Sequence, residues 1–377
     1  MQGSRDYSTW VEIDLKSIEN NVAWIARQVR ATASAQVMAV VKANGYGHGT
    51  VPAARAALRG GATWCGVARL EEALELRRAG LDCPVLLLGF LPEARVEEAI
   101  TQEISQTVWS AEQILLLSSA ARKIGIPARV HLKVDTGMSR LGVQASGALH
   151  LALTAANSEG IDFQGIFTHF ARADEANSQT TEDQEHIFSE VLKTLEQNGL
   201  RPPLVHASNS AAILTRPSAY FNLVRAGIAI YGLQPSAQCP LPEGFRPALS
   251  WKSVLSLVKI LPPGRGLSYG HIYTTSSNER IGTVPVGYAD GFRRITGNQV
   301  LIHGQCVPVV GRVCMDQVLV QLDAVPQAKP GDEVVLIGAQ GEASLTAEQV
   351  AETWGTINYE VVCGIGPRVP RLYSGLK

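Results

Sequence analysis

The sequence is short of several features that define whole classes of protein. None of its six cysteines (Cys65, Cys83, Cys239, Cys306, Cys314 and Cys363) forms a C-x-x-C pair, so a zinc ribbon or thioredoxin-type site is not supported. No run reaches the ~18 apolar residues that a membrane-spanning helix requires. Excess charge is missing too. The chain has 33 Lys and Arg against 34 Asp and Glu, a net charge of −1. Binding to nucleic acid or to a membrane surface calls for a basic excess, so neither is expected as a partner. Met1 to Trp10 is polar and lacks the apolar stretch of an export signal. A reduced, cytoplasmic setting is therefore expected, with most cysteines acting as small buried hydrophobes. There is no repeat of solenoid period and no low-complexity tract.

Glycine is in excess, at 35 of 377 residues against an ordinary ~7%. Hydrophobic residues make up 46% and charged residues 18%, the balance of a folded chain. At ~150 residues per domain the length suggests two or three domains, although a (β/α)8 barrel alone runs to ~250.

Over the first two thirds, short runs rich in Val, Ile and Leu alternate with segments of helical period. Eight runs read as buried strands: Gln36–Lys42, Trp64–Ala68, Val85–Gly89, Ser105–Trp109, Arg129–Asp135, Phe163–His169, Leu204–Ser208 and Asn222–Ala226. Helices are expected at Arg69–Ala79, Pro92–Glu103, Ala111–Lys123 and Thr181–Gln197. Ser110 with Gln113 has capping-box spacing, and Gly80, Gly125 and Gly199 stand where helices should stop. Eight strands alternating with helices predict an α/β fold, a closed parallel (β/α)8 TIM barrel. From Leu249 the pattern changes to consecutive β runs: Ser253–Ile260, Arg280–Val286, Val307–Val313, Gln317–Leu322 and Asp332–Ile337. Only Thr346–Thr353 reads as a helix there. The expected organisation is a barrel over residues 1–240 and a mostly β C-terminal domain over 241–377. Residues 10–15 form an extra strand expected to pair with the second domain, and Cys239–Arg246 is the linker.

In such a barrel, functional groups gather at the C-terminal ends of strands. The first strand ends in Lys42-Ala43-Asn44-Gly45-Tyr46-Gly47-His48-Gly49. A lysine closing an apolar strand either snorkels out of the mouth or, with a lowered pKa, serves as an amine nucleophile or base. The seventh strand ends in Ser208-Asn209-Ser210. The eighth continues as Arg225-Ala226-Gly227-Ile228. The Ser210 hydroxyl and the N–H groups of Gly227 and Ile228 suit a phosphate dianion, although glycine after a strand is also an ordinary turn. A reactive lysine beside a phosphate site fits a Schiff-base aldolase of sugar phosphates. It equally fits pyridoxal 5'-phosphate (PLP) held by lysine, with a carboxylate or arginine facing the pyridine nitrogen. Arg225 is the candidate for that partner. Alternation places His131, Lys133 and Asp135 on one strand face, leaving Lys133 inside the barrel, where an ion pair with Asp135 is the simplest reading. Neither His48 nor His271 has a metal-ligand partner at useful spacing, so no metal is expected. Cys314 reads as a small buried contact, and Tyr231 and Trp251 as core or interface aromatics.

With these residues in place the sequence resembles the alanine racemase family from Trp10 to Tyr373. The resemblance is carried by Val40–Gly49, His131–Gly142, His206–Ser210, Arg225–Gly232, Ser268-Tyr269-Gly270, Gly287–Gly291, Gly311–Gln317 and Asn358-Tyr359-Glu360. It implies a PLP-dependent isomerase that interconverts L- and D-alanine, supplies D-alanine for peptidoglycan, and works as a homodimer with shared active sites. Lys42 would hold PLP and act as one base, and Tyr269 of the partner subunit would be the other. Tyr46, Asn209, Ser210, Gly227, Ile228 and Tyr359 would serve the phosphate end. Arg225 would face the pyridine nitrogen with His206 behind it, and His169 would pack near the ring. Arg140 would hold the cofactor's phenolic oxygen and assist substrate binding. Met315 would meet the substrate carboxylate. Asp174, Tyr288, Arg312, Asp316 and Arg371 would line the path by which substrate enters. The resemblance also implies carbamylation of Lys133, whose negative charge would fix Arg140.

Two bases suit racemisation, because a single base would have to cross the substrate plane. Tyrosine ordinarily ionises near pH ~10, so this role calls for positive surroundings, for which His169 and Arg140 are the candidates. Three other readings share parts of the pattern. PLP-dependent amino-acid decarboxylases have the same two domains but place an acid where Arg225 stands. A non-catalytic PLP-binding barrel would lack the second domain and Tyr269. A racemase of serine or another small amino acid would differ only in pocket width, worth ~1–3 kcal/mol per methylene.

Overall fold

A computed structural model describes residues 6–375; residues 1–5 and 376–377, the outer ends of the two expected domains, lie outside the described residues. The chain forms two compact units. One holds Ser17–Gly45 and Thr50–Arg246. The other holds residues 6–16, Tyr46–Gly49 and residues 247–375. In chain order the first strands are β1 (Thr9–Asp14), β2 (Gln36–Val40), β3 (Trp64–Val67), β4 (Val85–Leu87), β5 (Ile104–Val108), β6 (Ala128–Asp135), β7 (Val143–Gln144), β8 (Ile161–Phe167), β9 (Leu204–His206) and β10 (Leu223–Ala226).

In the first unit, eight strands run parallel in the order β10-β2-β3-β4-β5-β6-β8-β9, with β7 on the edge of β6. The eight expected strands are all present, so the unit is a nearly closed TIM-type barrel. Its seam, between β9 and β10, carries individual bonds instead of a ladder. The Arg225 N–H donates to the Ser208 carbonyl at 2.9 Å, and the Val205 N–H donates to Asn222 Oδ1 at 2.8 Å. The local signals behave as their chemistry dictates. Ser110 and Gln113 close a capping box on the helix Ala111–Ile124, and Gly125 ends it in left-handed geometry. The segment after Ala226 forms only the short 3-10 turn Ile228–Tyr231.

The barrel packs on two sides. Val130, Leu132 and Val134 join one apolar cluster with Ile114, Leu117, Phe188 and Leu192 of the surrounding helices. Met38, Trp64, Leu86 and Leu223, one from each of four strands, form a separate cluster with Leu88 and Leu204. Because strand side chains alternate between faces, His131 and Lys133 point inward, away from the helices.

The second unit is largely β. It adds β11 (Leu249–Val254), β12 (Leu257–Leu261), β13 (Gly266–Leu267), β14 (Tyr273–Thr274), β15 (Glu279–Val284), β16 (Gln299–Ile302), β17 (Gln305–Val310), β18 (Val318–Gln321), β19 (Glu333–Gln340), β20 (Ala343–Leu345) and β21 (Arg371–Ser374). Most form one sheet in the order β12-β15-β18-β17-β16-β19-β11-β1-β21. The extra strand expected at residues 10–15 is β1, antiparallel to β11 and parallel to β21.

Three expectations need correction. The run Ser253–Ile260 is not one strand. It breaks at Leu255-Ser256, where the buried Leu255 donates its N–H to Asp332 and Ser256 to Thr283. β11 then pairs with β19 and β12 with β15. A second helix, Asn358–Cys363, follows Ala347–Trp354. Only Cys65 and Cys239 are buried; Cys83 and Cys314 are half-buried, and Cys306 and Cys363 are exposed. Cys306 lies on an exposed stretch of β17 and Cys363 ends a surface helix. Tyr231 and Trp251 are core residues as expected.

Candidate active site

Lys42 follows β2 directly and opens an unusual turn. Ala43, Asn44, Gly45 and Tyr46 all have left-handed backbone angles, with φ of 53°, 54°, 58° and 52°. That geometry costs an L-residue about 1–2 kcal/mol, so Ala43 and Tyr46 must be held by their surroundings. The Gly45 N–H returns to the Val41 carbonyl at 2.9 Å, and Asn44 Oδ1 accepts from the Thr50 N–H at 3.3 Å. The Ala43 N–H donates to Glu72 Oε1 at 2.6 Å. The turn thus fixes the backbone from which Lys42 projects.

Arg225 lies in the barrel interior at 3% exposure. Its Nη1 donates to His206 Nδ1 at 2.8 Å. Its Nη2 donates to the carbonyls of Thr168 and Ala207 at 2.8 Å each, and to His169 Nδ1 at 3.1 Å. All four bonds use the terminal nitrogens, which leaves Nε without a partner among the described residues. A guanidinium only donates. Both imidazoles must therefore accept at Nδ1 and, being neutral, carry their proton on Nε2. Burial and the Arg225 charge hold His206 and His169 well below the usual imidazole range, which agrees. His169 is thus neutral, which corrects the expectation that it is a source of positive charge.

The chain of donors continues. His206 Nε2 donates to His131 Nδ1 at 2.9 Å, so the His131 proton also sits on Nε2. That atom is buried without a partner, beside the Trp64 ring. Burial, aided by Arg225, pushes His131 down to about 3. Phe167 supports the arrangement from its face. Its ring stacks on His206 at 4.6 Å, and Lys133 and Arg225 lie over it at 5.6 and 5.2 Å.

Lys133 is buried, but the expected ion pair with Asp135 is absent. The Asp135 carboxylate instead accepts from the Gly137 and Ser139 N–H groups and from Gln144. Burial, then the charges of Arg225 and Arg140, push the Lys133 amine down to about 8, with only Asp135 opposing. Lys42 adds to the positive field. Cations thus dominate the field at Lys133.

At the expected phosphate end, Ser210 begins the helix Ser210–Thr215, capped by Asn209 Oδ1 on the Ala212 N–H at 3.0 Å. Ser210 Oγ accepts from the N–H groups of Gly227 and Ala229, at 2.9 and 3.3 Å. Gly227 and Ile228 are buried at the start of the 3-10 turn. Asn209 thus acts as a cap, while Ser210 and Gly227 form a polar cradle. Arg140 is exposed. Asp174 lines a nearby cavity of about 270 Å³ with Thr215, Arg216 and Gln238.

The second unit places its own candidates in two groups. Tyr269, 68% exposed, and Met315, 52% exposed, line an open cavity of about 720 Å³ with Asp316 and Cys314. Ser268 Oγ donates to the Arg312 carbonyl at 2.6 Å. Tyr288 is exposed, and its N–H meets the Cys314 carbonyl at 3.1 Å. This close approach needs Gly287, since a Cβ there would fall 2.3 Å from the Cys314 and Met315 carbonyl oxygens. The other group is Tyr46 and Tyr359, whose ring centroids lie 6.2 Å apart. Arg371 behaves differently from expectation. Its guanidinium is taken up by the backbone carbonyls of Gly47, Ile365, Gly366 and Val369, the bonding of a structural clamp.

Comparisons with known proteins identify the family. The family models described as "Alanine racemase, N-terminal domain" and "Alanine racemase, C-terminal domain" match residues 13–235 and 248–373. The chain belongs to the alanine racemase family. It is 44% identical to the alanine racemase of Desulfovibrio desulfuricans, over 98% of this chain and 99% of that one. It is also 44% identical to that of Symbiobacterium thermophilum, over 97% of each. Among solved structures, the alanine racemase of Streptomyces lavendulae superposes with a TM-score of 0.92 at 40% identity, covering 98% of both chains. That of E. faecalis gives 0.92 at 41% identity, over 98% and 99%. An alanine racemase is an isomerase, and its substrate is a small amino acid.

Three residues of the site and its surroundings carry no functional signal in the sequence. Glu72 is hidden in an ordinary Glu-Glu helix start. Phe167 reads as one more apolar strand residue. Arg368, which pairs with both Asp290 and Asp316 at 2.6 and 2.7 Å, lies in a Gly-Pro-Arg turn without a motif. Among the described residues no cluster of His, Cys, Asp or Glu could hold a metal ion, and no helix is long and apolar enough to cross a membrane.

Proposed function

We propose that the chain is a PLP-dependent alanine racemase using two bases, Lys42 and Tyr269, on opposite faces of the substrate. The observation that carries this reading is Arg225, buried with its Nε unpartnered amid Lys133, Arg140 and Lys42. An anionic cofactor with a pyridine-type acceptor suits that donor set. At the phosphate end Ser210 would supply a hydroxyl and Ile228 a backbone N–H, while Gly227, whose N–H is held by Ser210 Oγ, would let the backbone approach closely. Tyr46 and Tyr359 would be further contacts, with Asn209 capping the helix.

Bound there, PLP supplies an electron sink that acidifies the α-hydrogen of an attached amino acid. The protein supplies the rest. Lys42 Nζ takes a proton from one face or returns it, and the Tyr269 oxygen does the reverse on the other. Arg225 offers Nε–H as a donor. Because a guanidinium keeps its protons, Arg225 would hold the pyridine nitrogen by a hydrogen bond without protonating it, which would favour proton return over side reactions. An acid at that position, as in the decarboxylases, would behave oppositely. Arg140 would hold the cofactor's phenolic oxygen and Met315 would meet the substrate carboxylate.

Lys133 suits carbamylation. A carbamate forms when a neutral amine attacks CO₂ and releases one proton, and the Lys133 amine is held near neutrality at about 8. The new anion would balance Arg140 and Arg225. Asp174, Tyr288, Arg312 and Asp316 would line the substrate path, with Arg371 acting only through the backbone it clamps. Residues 1–240 would form the PLP barrel, and residues 241–377 would lend Tyr269 to the partner of a cytoplasmic homodimer. The D-alanine produced would serve peptidoglycan.

The experiment is borohydride reduction with peptide mapping, run beside an assay interconverting L- and D-alanine. A pyridoxyl group on Lys42 together with racemisation is the expected result. A label on a different lysine, or correct labelling without racemisation, overturns the reading.

A further inference from the structure

Glu72 has no role in the scheme above, yet it holds the turn that carries Lys42. It is the third residue of the helix Leu70–Arg78, and its side chain is half-buried. Oε2 accepts from the N–H groups of Ala68 and Arg69, at 2.8 and 3.1 Å. That much is the ordinary reach of an N3 glutamate back to the start of its helix. Oε1 is what a cap does not explain. It accepts from the Ala43 N–H at 2.6 Å, 29 residues away in sequence. One carboxylate therefore ties the loop after β2 to the loop after β3, with a separate oxygen on each.

The tied atom matters. The Ala43 N–H belongs to the peptide plane it shares with Lys42, and Ala43 is the first of the left-handed residues. Fixing that plane fixes ψ of Lys42, and with it the direction in which the lysine leaves β2. Asn44 and Gly45 secure the far end of the turn, but among the described residues only Glu72 is bonded to the Ala43 N–H.

We propose that Glu72 is a positioning residue for Lys42, acting as a two-oxygen bracket that sets the lysine's approach to the cofactor and to the α-carbon. This rests on the reading of Lys42 as the cofactor lysine. A misplacement of a reacting group by ~1 Å can cost about 100-fold in rate, so loss of the bracket should be felt in chemistry more than in substrate binding.

The test compares holoenzymes carrying Glu72→Gln and Glu72→Asp with the wild type. Four quantities are read: the rate at which hydroxylamine strips PLP, followed by absorbance; kcat and KM for L-alanine; and Tm. Glu72→Gln keeps the shape but sets an NH₂ group against one of the bound N–H groups. Stripping should speed up and kcat fall, each by about tenfold, as for a lost charge-assisted hydrogen bond, with KM nearly unchanged. Glu72→Asp keeps the charge but is one methylene too short to span both loops, and it should match Glu72→Gln. Wild-type behaviour of Glu72→Asp would reduce the role to charge and overturn the bracket. A lower Tm with unchanged stripping and kcat would reduce it to a helix cap and overturn it equally. Borohydride mapping of the wild type separates the two claims. A label elsewhere than Lys42 removes the underlying reading, whereas a label on Lys42 with wild-type kinetics in Glu72→Gln removes only Glu72.

Discussion

Arg225 Nη1 stands 2.8 Å from His206 Nδ1, and this contact sets the protonation of the barrel interior. Since arginine can only donate, the bond directs a proton chain from Arg225 through His206 to His131. Both histidines are neutral, with His131 pushed down to about 3 and His206 well below its ordinary value. Their ring nitrogen signals in a selectively labelled sample should stay constant between about pH 5 and 9, whereas an unperturbed histidine changes charge in that range. A shift of either signal near pH ~6.5 would contradict the chain. His206→Phe strands the Arg225 donor in a buried site, and it should lower stability by about 1–3 kcal/mol by calorimetry.

Gly165 packs face to face with the same chain. A Cβ added there would lie 2.3 Å from His131 Nδ1, with no room for a flexible escape. Gly165→Ala should push His131 off His206 and destabilise the protein by about 1–3 kcal/mol, the usual cost of overpacking. His131→Ala in the same chain removes the clashing ring, so the double variant should recover part of the loss. Strictly additive losses in a double-mutant cycle would show that the contact is not the cause.

Lys133 links the site to pH. Its folded pKa of about 8 lies below the ordinary lysine value of ~10.4. A bare amine there binds its proton less tightly in the folded than in the unfolded chain. The resulting penalty is fully present below about pH 8 and fades as pH rises toward ~10.4. Carbamylation would remove it by consuming the neutral amine. With ¹³C-bicarbonate, a carbamate signal should be strong above pH 8 and weaken as pH falls through that value. The signal should vanish in Lys133→Met. Its persistence in that variant would place the carbamate on another lysine.

Much of this was legible from side-chain pattern. The eight barrel strands follow from length and apolar content. The inward turn of Lys133 follows from alternation with Val130, Leu132 and Val134. What pattern could not reach was hydrogen-bond partnership. Asp135 shares a strand face with Lys133, which suggests an ion pair as the simpler alternative to a carbamate, yet two nearby N–H groups and Gln144 bind its carboxylate instead. The family resemblance implies that Arg371 lines the substrate path, but sequence does not show that four backbone carbonyls bind its guanidinium. Glu72 carries an ordinary helix-start signal for one oxygen, and only the three-dimensional approach of Ala43 reveals the second. The split of Ser253–Ile260 was hidden for a similar reason, because apolar content runs unbroken through Leu255 while the backbone changes partner.

Tyr269→Phe removes the hydroxyl while leaving every barrel contact in place. Loss of a positioned acid–base group costs about 10²–10⁴-fold, so racemisation should fall by that much in both directions. Exchange in D₂O should be more selective. The enantiomer whose α-hydrogen faces Lys42 should still exchange with solvent, and the other should not. NMR of each enantiomer after incubation gives both rates. Equal residual exchange of the two would mean that Tyr269 is not a face-specific base.

The subunit origin of Tyr269 can be read by mixing inactive chains. If each site joins Lys42 of one chain to Tyr269 of its partner, Lys42→Ala and Tyr269→Phe chains each form dead homodimers. An equal mixture that exchanges freely forms about half heterodimers by random pairing in a two-fold assembly. In each heterodimer one site collects both defects. The other combines the intact Lys42 of the Tyr269→Phe chain with the intact Tyr269 of the Lys42→Ala chain. One site in two works in half the dimers, so activity should recover to about a quarter of wild type. If Tyr269 instead serves its own chain, every site in the mixture keeps one defect, and no exchange time restores activity.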